Sequence, residues 1–194
     1  MSLDLIALAL FGITIGERII ELAVSNRNAA WSFQRGGVEY GADHYKWMVA
    51  MHTAFLFAIV GEYLIFGSSL PAVIQVSGMV AATVCQIMRW WIIETLGAQW
   101  NTRVIIVPGA GRVNKGPYRF LNHPNYVVVA IEMAMLPLIF GSWRTAILFS
   151  ILNTWMMWIR IRVENRALKQ LIVATVNTET ENDEQLYIPS RRSS

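Results

Sequence analysis

This sequence predicts an all-α integral membrane protein of about five transmembrane helices, with a structured cytoplasmic loop between the third and the fourth. Three observations lead there. The chain is 55% hydrophobic and only 15% charged, well below the roughly 25% charge of a soluble domain, and its mean hydropathy is +0.41. Its apolar residues fall in blocks near the length of about 20 that crosses the hydrocarbon of a bilayer. Its Lys and Arg residues gather on one alternate set of the segments that join these blocks.

The blocks run from Leu3 to Val24, Trp47 to Phe66, Leu70 to Ile93, Tyr126 to Phe140 and Trp143 to Ile161. In lipid, only a helix or a closed barrel satisfies every backbone group, so each block reads as a helix. The first lacks a basic leader and a small-residue cleavage site and carries Glu17, Arg18 and Glu21 at its far end, which makes it a retained span and not a signal peptide. Gly67-Ser68-Ser69 joins the second block to the third and Gly141-Ser142 the fourth to the fifth. Both links are short enough to force antiparallel hairpins. Residues 25–46, the loop 94–125 and the C-terminal tail then share one face, which holds nearly all the Lys and Arg, and the hairpin turns share the other, which has only Arg144. By the positive-inside rule the long loops and the C-terminus are cytoplasmic and the N-terminus is outside. The fourth block is short for a span; it follows His123-Pro124, where proline suits a first helical turn, and ends near Pro137. Residues 1–173 are the transmembrane domain, and residues 174–194, polar and without apolar periodicity, are expected to be a mobile tail. The one cysteine, Cys85, lies in an apolar block and excludes an internal disulfide and a cysteine-clustered metal site; no metal centre is expected.

Ionisable residues within spans are costly, so their positions carry the functional signal. Traced in the predicted directions, Glu17, Arg18, Glu21, His52, Arg89, Glu132, Arg160, Arg162 and Glu164 converge on the inner half of the membrane, and Glu62 and Arg144 stand apart. Each has a plain reading beside the functional one. Glu17, Arg18 and Glu21 have the spacings of an ion pair within one helix. His52 reads as a packing histidine or as a proton acceptor. Arg89 beside Trp90-Trp91 reads as an interface anchor or as the residue that orients an anionic head. Glu132, deep in its helix, needs a partner or a proton, and is a helix-pairing or a catalytic carboxylate. Arg160 and Glu164, four apart, share one helix face. The loop 94–125 holds Gly97, Trp100, Gly109, Gly111, Gly116-Pro117-Tyr118 and Asn122-His123-Pro124-Asn125-Tyr126, turn formers and aromatics that read as a folded ligand-binding segment. Gly109-Ala110-Gly111 is too little for a phosphate-binding fingerprint.

From Gly97 to Trp100, through Gly116-Pro117-Tyr118 and His123-Pro124-Asn125-Tyr126, to Arg160 with Glu164, the chain resembles the isoprenylcysteine carboxyl methyltransferase family of membrane enzymes. Its N-terminal half, with Glu17-Arg18, Arg27-Asn28, Gly37-Val38-Glu39-Tyr40-Gly41 and His44-Tyr45, is similar to a bacterial branch associated with lipid-like polyketides such as alkylpyrones. Two positions depart from the family pattern: Asn122 stands for an arginine before His-Pro, and Asn165 for a second glutamate. The resemblance implies that S-adenosylmethionine lies under the loop, held by Gly116, Tyr118, His123, Pro124, Asn125 and Tyr126, with Arg160 and Glu164 closing the last-helix side. It also implies a lipophilic small-molecule or lipidated substrate entering from the bilayer, membrane lipids as the other partners and no nucleic acid. His52, Arg89 and Glu132 are the intramembrane residues expected to act on an acceptor oxygen: a carboxylate needs no base, whereas an enol or phenol benefits from one. The alternatives are a phospholipid N-methyltransferase, more remotely a sterol-type reductase, or a non-enzymatic small membrane carrier or scaffold.

Overall fold

A computed structural model of the chain describes residues 3–68, 70–111 and 113–186, with side chains described as far as Leu168. Ser69 of the first hairpin turn, and the end of the tail with Arg191 and Arg192, lie outside the described residues. Five α-helices follow in order: α1 (Leu3–Phe33), α2 (Ala42–Phe66), α3 (Ala72–Leu96), α4 (Pro124–Met135) and α5 (Trp143–Leu186). Three of the apolar stretches, Ala42–Phe66, Ala72–Gln99 and Trp143–Leu168, are long and apolar enough to cross a membrane. α1 has the length, but Asp4, Glu17, Arg18 and Glu21 interrupt its apolar run. α4 with the 3-10 turn that follows it, Pro124–Phe140, is a shorter apolar helix. α5 continues well past the Val173 boundary from which a mobile tail was expected.

The helix ends follow from backbone chemistry. Gly67 ends α2 at φ 65°, its N–H bonded to the Tyr63 carbonyl, and Gly97 closes α3 in the same left-handed region, which costs glycine no Cβ clash. Pro124 occupies the first turn of α4, as the sequence predicts. Pro137 has no N–H with which to continue that helix, and a 3-10 turn over Pro137–Phe140 takes its place. The two hairpin turns touch: a side chain at Gly141 (φ 77°) would lie 2.7 Å from Ser68 Oγ. Both turns therefore sit at one end of the bundle, the turn end, and the long loops at the other, the loop end.

The all-helical expectation needs one correction. Val38–Tyr40 (β1) and Val104–Ile106 (β2) pair antiparallel as a two-stranded ribbon at the loop end. It ties the α1–α2 connection to the loop after α3, satisfying backbone groups that would otherwise need water.

Apolar burial has the sense of a membrane protein. Phe57, Leu64, Ile65 and Val73 are 70–76% exposed on the outer faces, a belt that only lipid would cover. Inside, Phe11, Phe55, Ile59, Met133, Leu136, Phe140 and Phe149 pack into one core joining α1, α2, α4 and α5, with Phe11 edge-on to Phe140 at 5.3 Å and Phe55 against Phe149 at 5.4 Å. α3 approaches the end of α4 closely where Gly78 faces the Met135 carbonyl and Ile139, the close backbone approach that small residues allow between membrane helices. A Cβ at Gly78 would stand 2.9 Å from that carbonyl oxygen. Gly78→Val is therefore expected to destabilise the bundle by about 1–3 kcal/mol, read as an earlier transition in detergent-denaturation curves.

Candidate functional site

Two groups of polar residues lie in the loop-end half of the bundle. The first gathers where α4 begins. His123 and Tyr126, three apart across the first turn of α4, stack at 5.3 Å with 19° between their planes. Glu164 reaches them from α5, accepting a hydrogen bond from Tyr126 Oη at 2.8 Å and lying 3.9 Å from His123 Nδ1. Pro124 between them is fully buried and so holds the turn in place. Tyr118 packs against the buried cluster of Cys85, Ile92, Ile93, Trp100 and Val128, and burial, followed by the nearby Glu164 carboxylate, pushes its hydroxyl up to about 12. It stays neutral as a donor. Gly116 is forced by contact as well as by backbone: φ is 50°, and a Cβ would meet Thr95 Oγ1 at 2.7 Å and Trp91 Nε1 at 3.2 Å.

Arg160 shares a helix face with Glu164, as its spacing predicts, but the two do not pair. Its guanidinium donates to the Thr102 carbonyl at 2.8 Å, rests on Met48 Sδ and lies 5.7 Å from the centre of the Tyr126 ring. Among the described residues it has no carboxylate partner. Arg160 Nε and Asn125 Oδ1 are both buried without a hydrogen-bond partner, which leaves a donor and an acceptor open at this junction. Arg162 turns away, onto Trp158.

Residues outside the expected site hold this loop in place. Ser25 bonds Asn101 and Thr102, and Asn28 donates to the carbonyls of Gly97 and Trp100 at 3.0 and 2.8 Å. Both lie on α1 beyond the apolar block, in a segment that gave no periodic signal.

The second group is an ionic cluster between α1, α3 and α4. Arg89 and Glu132 form a buried, hydrogen-bonded ion pair. Glu21 lies 3.5 Å from Arg89 Nε and 2.8 Å from Arg18, which completes the predicted pair on α1. Gln86 accepts from Arg18 and donates to Thr14 and Glu132, while Glu17 accepts from Trp90 Nε1 at 3.0 Å. Arg89 is only 4% exposed, so the interface-anchor reading is overturned: its neighbour Trp91 faces outward and Arg89 faces in. Glu132 has the partner that its depth demands. His52 stands between the two groups, its Nδ1 donating to the Met48 carbonyl at 2.9 Å, one turn from the sulfur on which Arg160 rests, and it is close enough to sense the charges of Glu132, Arg89 and Arg18. Glu62 and Arg144 are apart from both groups, as predicted. Glu62 accepts the backbone N–H groups of Arg144 and Thr145 at 3.1 and 2.7 Å and so caps α5.

Chemically, the first group offers a carboxylate, two stacked rings and an arginine without a carboxylate partner, a set suited to a ligand that carries both a cation and an anion. The second offers fixed, mutually neutralising charges. A sequence model of the isoprenylcysteine carboxyl methyltransferase (ICMT) family matches residues 77–170, which include every residue of the first group. Over 164 residues the chain is 36% identical to the uncharacterized protein YpbQ of Bacillus subtilis (strain 168), covering 84% of this chain and 97% of that one. Over 163 residues it is 24% identical to an uncharacterized protein of Haemophilus influenzae (strain ATCC 51907 / DSM 11121 / KW20 / Rd), covering 83% and 94% respectively.

Removing one member of a buried pair strands the other charge in an apolar medium. Arg89→Met is therefore expected to cost roughly 3–5 kcal/mol, and the double variant Arg89→Met with Glu132→Met to recover most of it. A double-mutant cycle of unfolding in detergent would measure both.

Proposed function

Because the chain belongs to the isoprenylcysteine carboxyl methyltransferase family and is thus a membrane methyltransferase, we propose that it uses S-adenosylmethionine to methylate an oxygen of a lipophilic substrate dissolved in the bilayer. The observation that carries this reading is the junction of Glu164, Tyr126, His123 and Arg160 where α4 meets α5. When bound, the cofactor supplies an electrophilic methyl group on a sulfonium centre. Glu164 and the stacked faces of His123 and Tyr126 favour that cation. Arg160 meets the cofactor's carboxylate with the face that Thr102 and Met48 leave free. Asn125 Oδ1 takes one of its donors, and Gly116 and Tyr118 shape the floor. Asn122 and Asn165, the two departures from the family pattern, leave all of these residues in place.

In this reading about five spans cross the membrane, with the N-terminus outside and the loop end in the cytoplasm; support comes from the touching hairpin turns and the near absence of Lys and Arg at that end. The acceptor enters sideways from lipid, its tail between helices and its head beside His52. Arg89 and Glu132 hold each other as a neutralised ion pair, so Glu132 is a fixed counter-charge and not a free base. That leaves His52 to take a proton from an enol or phenol acceptor. Holding acceptor and methyl group in line and keeping water out is most of what such a displacement requires.

Calorimetry with purified protein tests the reading. Wild type should bind S-adenosylmethionine in the micromolar range, and His123→Ala and Glu164→Ala should each abolish that binding. His52→Ala should keep it and lower turnover by roughly 100-fold or more. Retained affinity in both of the first two variants would remove the assigned site.

A further inference from the structure

The turn between α3 and α4 has an outer side that neither group of polar residues uses. It is a 3-10 turn over Gly116–Arg119, closed by the N–H groups of Phe120 and Leu121, which both donate to the Pro117 carbonyl at 3.1 Å. Pro117 is buried and Tyr118 packs inward. The residues that follow stand outside: Phe120 is 77% and Leu121 46% exposed, and Lys115 and Arg119 are exposed as well. The Arg119 guanidinium lies 6.0 Å from the centre of the Phe120 ring. Among the described residues neither Lys115 nor Arg119 has a carboxylate partner. The sequence has no Asp or Glu between Arg103 and Glu132, while it has Arg112, Lys115 and Arg119.

The height of this turn in the bilayer follows from α3. Val80, Val84, Ile87 and Trp91, three or four residues apart, form an exposed apolar stripe along that helix, the face turned to lipid. Trp91 stands about 29 Å from the start of α3 at Ala72, nineteen residues at 1.5 Å each. That is close to the full hydrocarbon thickness of about 30 Å. Trp91 thus marks the boundary between acyl chains and headgroups, where tryptophan is favoured. The turn sits at the same boundary, since a Cβ at Gly116 would stand 3.2 Å from Trp91 Nε1. On its other side α4 begins, with Val127 and Ile131 exposed on an apolar outer face of its own. Phe120 and Leu121 therefore join two surfaces that already face lipid.

We propose that Lys115, Arg119, Phe120 and Leu121 form a binding site for an anionic phospholipid. Phe120 and Leu121 enter the acyl chains, and the two cations meet the headgroup phosphate, the division of labour that interfacial segments use. An acidic lipid supplies the negative charge that residues 104–131 lack; a zwitterionic lipid brings a cation of its own and gains less. One turn directs Tyr118 inward and Phe120 outward, so lipid bound outside orders the segment that carries Gly116 and Tyr118 inside. The assignment goes beyond the methyltransferase reading and does not depend on it, because its evidence and its test both lie on the outer side of the turn.

The test uses the full chain in nanodiscs of phosphatidylcholine, with or without phosphatidylglycerol. Leu121→Cys carries a spin label; Cys85 is buried, and the unsubstituted chain serves as the labelling blank. The label should be reached more readily by oxygen, which partitions into acyl chains, than by a water-soluble nickel chelate. Phosphatidylglycerol should slow its motion. Adding Lys115→Gln and Arg119→Gln should remove that response while keeping the depth, and adding Phe120→Ser should move the label toward water. Unlabelled wild type, equilibrated with both lipids and analysed by mass spectrometry, should retain phosphatidylglycerol over phosphatidylcholine by about fivefold or more, the gain expected of a single basic residue at the headgroups. The Lys115→Gln, Arg119→Gln variant should lose that preference. Inorganic phosphate should neither slow the label nor displace the lipid; if it does both, the site takes a free anion and the proposal fails. A label reached equally by the nickel chelate puts the turn in water, and one shielded from both reagents marks a protein contact. Either result, or an unchanged lipid preference in the double variant, would overturn the proposal. Failure to bind S-adenosylmethionine would end the methyltransferase reading alone, since no readout here involves the cofactor.

Discussion

The bundle depends on its placement of charge where water is absent. A guanidinium or carboxylate alone in an apolar interior is costly enough that it must be paired or neutralised. Arg89 and Glu132 meet that demand together, with Glu21, Arg18 and Gln86 close around them. Because the partners come from α3, α4 and α1, satisfying the charges and assembling three helices are one event. The apolar core of Phe11, Phe140 and Met133 packs around a geometry that electrostatics has already narrowed.

The proposed chemistry sits beside this cluster, at a second convergence. The first turn of α4 supplies His123 and Tyr126, α5 supplies Arg160 and Glu164, and α2 supplies Met48 and His52. The loop that covers them is pinned at its start by Ser25 and Asn28 and along its length by the two-stranded ribbon. A mobile loop would have to be ordered each time a ligand bound. Here much of that entropy is spent in folding, which favours affinity.

Much of this was legible in the sequence, and the rest was hidden for identifiable reasons. Long apolar blocks located α2, α3 and α5, and Pro124 and Pro137 bracketed α4, because composition and proline geometry act locally. The first helix was cut short at Val24 and runs to Phe33; the added turns are polar, and Ser25, Asn28 and Ser32 are buried there by tertiary contact that no local pattern reports. The ribbon was missed because three residues are too few for alternation, although Val104-Ile105-Ile106 is a β-branched run. The depth of Arg89 and Glu132 could be read, but not the direction each faces, so their pairing was not foreseen. Within the site, the motif residues His123, Tyr126 and Glu164 are brought together as expected.

Glu62 shows how the far side of the membrane bears on this chemistry. Its carboxylate accepts the N–H groups of Arg144 and Thr145, an interaction that the helix dipole reinforces, and so it clamps the start of α5 to a fixed height on α2. Everything further along α5 is measured from that clamp. A slip by one turn, about 5.4 Å, would move Glu164 off Tyr126 and Arg160 off the Thr102 carbonyl. The bond at the turn end thus works as a datum, and α5 as a gauge rod that transmits its position across the bilayer to the residues that hold the ligand.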